Sequence, residues 1–142
     1  MTRPASIVRF EQIYLAYWLV GIVNAAISWE RNAQMVRASG LDAALPGYQW
    51  WTIGIGLLIP LILWFFIARR GSAIAKWVLV VFLGIGILSM VAIVAMGRFE
   101  MGLPGGLTVV AMLLQATAVW MLFRPDTHEW FGEVDVPEVP EP

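Results

Sequence analysis

Residues 73–96, AIAKWVLVVFLGIGILSMVAIVAM, decide the fold. The stretch is 24 residues long and its one charged side chain is Lys76, close to its start. A helix rises about 1.5 Å per residue, so about 20 residues cross the roughly 30 Å hydrocarbon layer of a membrane. Reading outward, three more runs meet the same test, at about 7–29, 48–68 and 103–123. The reading is an all-α membrane protein: a bundle of four transmembrane helices over residues 1–124, then a short interfacial C-terminal helix and an extended acidic tail over 125–142.

Composition agrees. Of 142 residues, 60% are hydrophobic and 13% charged, too little charge to cover a soluble domain of this size. The first run is too long for the apolar core of a signal peptide and carries Glu11 and Asn24, so it is read as a retained helix. There is no cysteine, which removes disulfides, thiolate metal sites and thiol chemistry. Six of the ten acidic residues follow Pro125, so the tail is acidic and the membrane domain mildly basic.

The connections carry the orientation. Arg3, Arg9, Arg69, Arg70, Lys76 and Arg124 fall on one side, and Arg31, Arg37 and Arg98 on the other. An excess of Lys and Arg marks the cytoplasmic side, which places both termini in the cytoplasm of a bacterial inner membrane. Trp29, Trp50 and Trp51 fall at the expected outer interface and Trp64, Trp77, Trp120 and Trp130 near the inner one, where an indole keeps its N–H wet. Trp18 alone lies deep and is read as a packing or lipid-facing ring. The first outer connection interleaves apolar and charged residues from Met35 to Leu45, the pattern of a short helix lying on the membrane. The connections "RRGSAIAK" and "GRFEMGLPG" are tight, so the second, third and fourth spans follow one another as antiparallel neighbours.

No ionisable side chain falls between the interfaces, which argues against an ion-coupled carrier. Polar residues do line one face of the first span. Tyr14, Tyr17, Gly21, Asn24, Ala25 and Ser28 recur at three- and four-residue spacings. They form an interaction seam, read as packing within the bundle or against another protein, with a ligand groove as the functional alternative. The fourth span answers with Thr108, Ala111, Gln115 and Ala118. Gly54, Gly56, Gly84 and Gly86 are read as sites of close helix approach. Gln115 shares its depth with Tyr17 and Pro60. Because Pro60 cannot donate to the Gly56 carbonyl, Gln115 is expected to point inward and bond Gly56 or Tyr17.

Chemistry finds little footing. His128 is the only histidine and stands in the tail beside Asp126 and Glu129, too few ligands for zinc and no pair for haem. The segment "WERNAQMVR" is similar in residue types to the site of small four-helix glutathione-binding membrane enzymes, but it falls outside the spans. No basic face suits nucleic acid. The expectation is a non-enzyme with no cofactor and no metal.

The end of the chain carries a resemblance. Pro125 closes the fourth span and opens a short helix with acidic residues at its positive end. Trp130 and Phe131 follow, suited to dip into the headgroup layer or dock on a neighbour as an interfacial foot. "LFRPDTHEWF" resembles the C-terminal motif of a loose class of small four-helix bacterial inner-membrane proteins. The resemblance implies the four-span layout and no activity. The function expected is a non-catalytic accessory or assembly subunit of a larger membrane complex, in contact with lipids and other subunits. A self-associated passive pore and a lipid- or quinone-binding protein are the alternatives.

Overall fold

A computed structural model describes residues 3–133. The elements are α1 (Ala5–Ile27), α2 (Trp29–Ala38), α3 (Leu41–Ala44), α4 (Tyr48–Arg70), α5 (Ala73–Ala95), α6 (Leu103–Met121) and a 3-10 turn at Pro125–Thr127. There is no strand among the described residues. Helices α1, α4, α5 and α6 are each long and apolar enough to cross a membrane. They match the four expected spans to within a few residues. The acidic Pro-rich string expected at the very end lies, from residue 134 on, outside the described residues.

The four long helices form a ring in which α1 packs on α4 and α6, and α5 on α4 and α6. The connections make the bundle up-down-up-down, with the start of α1 and the end of α6 at the same end, here the terminal end. The α1–α6 contact is the most extensive. The small residues Ala25 of α1 and Ala111 and Ala118 of α6 suit such a close approach of helices in lipid. Asn24 fixes the register by donating from Nδ2 to the Thr108 hydroxyl at 3.2 Å.

Turn chemistry sets the remaining joints. At the α4–α5 turn, Gly71 takes a left-handed conformation (φ 58°, ψ 35°) and the Ser72 N–H reaches back to the Phe66 carbonyl at 3.1 Å, a Schellman-type stop. The Ser72 hydroxyl then caps α5 by accepting from the Ala75 N–H at 3.3 Å. The interfacial helix expected in the first outer connection is α2, separated from α1 by Ser28 alone. It is tied down by Gln49, which donates to the Trp29 carbonyl at 3.1 Å, and by the tilted contact of the Trp29 and Trp50 rings, 4.6 Å between centres.

Buried residues concentrate at the terminal end. The core joins Ile7, Phe10 and Tyr14 of α1, Leu63, Ile67 and Ala68 of α4, Ala75 and Leu79 of α5, and Ala118 and Val119 of α6. Leu122 and Phe131 complete it from beyond the last helix. At the far end, Ser28, Ala33 and Gly105 alone among the described residues are buried.

Candidate functional site

The foot docks on its own bundle. Sequence reasoning sends Trp130 and Phe131 into headgroups or onto a neighbour; the structure corrects this. Phe131 is 7% exposed and belongs to the core, and Trp130 donates from Nε1 to the Ile67 carbonyl at 3.0 Å. That carbonyl lies in the last turn of α4, where helical donors run out. Pro125 opens a 3-10 turn, with Asp126 in its first turn as expected. Asp126 accepts from the Ser6 hydroxyl at 2.7 Å and from the Ser6 N–H at 3.1 Å, joining the foot to the start of α1. The Ser6 hydroxyl bond is the chief reason that the Asp126 carboxyl is held below its ordinary pKa.

Lys76 is the buried charge that sequence reasoning missed. It is 2% exposed, and its ammonium donates to both carboxylate oxygens of Glu133, at 2.6 and 2.9 Å. Phe123 and Phe131 flank it, with ring centres at 4.8 and 4.7 Å from Nζ. A cation in the first turn of a helix opposes the helix dipole, so Glu133 supplies the compensating charge. Counted as one more loop cation, Lys76 gave a single available signal: it falls four residues after the cap Ser72, within an otherwise apolar turn.

Above the packed end, at mid-bundle, lies a cavity of about 310 Å³. All four long helices line it: Tyr14 and Tyr17 from α1, Gly56 and Pro60 from α4, Phe82 and Gly86 from α5, and Gln115 from α6. Its floor is the core itself, since Tyr14, Leu63 and Leu79 belong to both. A second cavity, of about 360 Å³, lies toward the far end, lined by Met90 and Ile93 of α5 and Gly105 and Thr108 of α6 together with Arg31, Arg98 and Glu100.

The sequence places Tyr17 and Gln115 correctly at the level of Pro60, and the structure adds Tyr14 to the same cavity. The sequence errs on their bonds. None of the three side chains makes a hydrogen bond among the described residues. The indole of Trp18, read only as a ring, donates to the Leu57 carbonyl at 3.0 Å and so serves the backbone next to the proline step. Pro60 deprives the Gly56 carbonyl of its helical donor, and Gly56 is among the residues that line the cavity.

The glycines need the opposite reading. A Cβ at Gly21, Gly54, Gly56, Gly84 or Gly86 would meet nothing within 4 Å, so these positions leave space rather than bring helices together. Close approach occurs instead at Gly71, where a Cβ would collide with the Trp130 carbonyl, and at Gly105, against the Glu100 carbonyl. The remaining seam residues turn inward. Asn24 bonds α6, and Ser28 is buried and accepts from Arg31 at 3.1 Å. His128 is exposed, and no group of three metal-binding side chains occurs among the described residues.

Fold and cavity together define the class: a helical, multi-pass membrane bundle with a mid-bundle cavity lined by all four long helices. No family model, curated protein or solved structure matches the chain.

Proposed function

We propose that the chain is a non-catalytic binding protein of the bacterial inner membrane that holds a small amphipathic molecule in its mid-bundle cavity. The cavity carries this reading. It is walled by all four helices and gathers three residues with hydrogen-bonding side chains, Tyr14, Tyr17 and Gln115, none of which bonds another described residue. A few polar side chains gathered in an otherwise apolar cavity are the usual make-up of a small-molecule site. The excess of Lys and Arg on the terminal side supports N- and C-termini in the cytoplasm. A passive pore fits less well, because the polar groups end on a floor of buried Phe10, Ile67 and Leu79.

An accessory subunit of a larger complex is the second reading. The inward turn of the α1 seam takes away its first support, and the outer face of α5 supplies another. Ile74, Val81, Leu88 and Val91 follow heptad spacing there and stay widely exposed. The tail motif shared in outline with small four-helix membrane proteins is compatible with either reading.

Extraction from native membranes in a gentle detergent, followed by mass spectrometry of protein and lipid fractions, separates them. A molecule bound in stoichiometric amount, and lost when Gly86→Leu fills the cavity, is expected. Bulk lipid alone in both samples contradicts the ligand reading, and a stable protein partner in place of a ligand supports the second.

A further inference from the structure

We infer that the mid-bundle cavity accepts the neutral, carbonyl-bearing head of a hydrophobic molecule, the chemistry shared by isoprenoid quinones and neutral glycerides. The inference rests on the ligand-binding reading above and names the chemical class of the occupant.

Charge decides the first part. No Asp, Glu, Lys, Arg or His lines the cavity. It lies near the midpoint of every span: Tyr17 is in the middle of α1, Pro60 in the middle of α4. An ionised head brought there would have no countercharge and little water, which is costly in hydrocarbon. The far-end cavity differs, since Arg31, Arg98 and Glu100 are among its lining residues.

Hydrogen-bond chemistry decides the second part. The wall presents two phenolic hydroxyls, on rings 5.3 Å apart, and one carboxamide. Tyr14 is 1% exposed and Leu79 equally buried, so the wall nearest the terminal end is packed. O–H and N–H donors without partners are matched by a carbonyl oxygen, and the carboxamide oxygen and the freed Gly56 carbonyl can accept from a hydroxyl on the same head. The other walls are apolar: Ile59, Leu63, Leu79 and Phe82. Gly56 and Gly86 keep that space open, since no atom lies within 4 Å of where a Cβ would stand on either. The packed floor closes the terminal end, so an apolar tail leaves toward lipid or the far end.

The test is calorimetric titration of the purified full chain in detergent with three short-tailed probes: decylubiquinone, dioctanoylglycerol and the anionic dioctanoylphosphatidylglycerol. Saturable one-to-one binding of a neutral probe is expected, and which neutral probe binds identifies the source. Tyr14→Phe combined with Gln115→Leu is expected to weaken binding by about tenfold or more, as loss of two hydrogen bonds requires. Gly86→Leu is expected to abolish it with the melting temperature maintained. Absence of saturable binding by either neutral probe overturns the inference, as does equal affinity for the anionic probe or an unchanged affinity in the double variant. A stoichiometric native ligand of another class would uphold the proposed function and overturn this inference alone.

Discussion

The two ends of the bundle are built from the same four helices and are held in different ways. At the terminal end every long helix is fastened to the foot or to a residue that meets it: Ser6 of α1 to Asp126, Ile67 of α4 to Trp130, Lys76 of α5 to Glu133, and Leu122, just past α6, to Thr127 through its carbonyl at 2.9 Å. At the far end the ties are fewer and more exposed. Arg31 pairs with Glu100, both around 40% exposed, and Asn24 bonds Thr108. Space remains between the helices there. Apolar helices in lipid gain nothing from mutual hydrophobicity, so they close up where packing and specific polar bonds draw them together. A segment outside the membrane can supply those bonds, and the 3-10 turn and its sequel do so.

Breaking the terminal end should have the largest effect. Phe131→Ser removes a core ring and is expected to cost about 3 kcal/mol, the scale of large-to-small core changes. Reversible unfolding in mixed micelles would show it, and a loss below about 1 kcal/mol would mean that the foot is peripheral. Gly71→Ala comes next, since it forces a side chain into a left-handed backbone and against the Trp130 carbonyl. About 2 kcal/mol is expected, accompanied by faster protease cleavage after Trp130; unchanged cleavage would show that the close approach does not form.

The Asp126 clasp sharpens the comparison through pH. Its folded pKa is depressed by Ser6, so its contribution is complete above the ordinary carboxylate value of about 4 and is lost as pH falls through the lower folded value. Protease protection of the foot is therefore expected to persist at pH 5 and to fade only below about pH 4. Fading already at pH 6 would assign control to another group. The smallest effect belongs to the far end: Arg31→Ala removes an exposed ion pair and should change stability by less than about 1 kcal/mol in the same unfolding measurement. A larger loss would show that the far end is tied as firmly as the foot.

Apolar runs and turn residues made the spans legible, because a membrane imposes length and composition on each helix separately. The level of the cavity was legible too, since depth counts along rigid helices and placed Tyr17, Pro60 and Gln115 together. The bonds were not. Which of Trp18, Tyr17 or Gln115 serves the carbonyls near Pro60 depends on helix rotation, and rotation is set by neighbours. The glycines misled for a related reason: a missing side chain permits either contact or space. Gly71 and Gly105 made contact while Gly56 and Gly86 left space, and spacing alone does not separate the two. Lys76 looked like an interface cation until the fold brought Glu133 and two phenyl rings around it.

The central claim is that the bundle is closed at the terminal end and open inside beyond it. The chain has no cysteine, so single cysteines report without background. Thr108, five residues inside α6 from the far end, lines the cavity there; Ala118, three residues from the terminal end of the same helix, is fully buried. In native membranes, a small water-soluble thiol reagent is expected to modify Thr108→Cys at least about tenfold faster than Ala118→Cys, since reaching Ala118 requires the core to open. Equal rates at the two positions, or faster reaction at Ala118→Cys, would contradict the account.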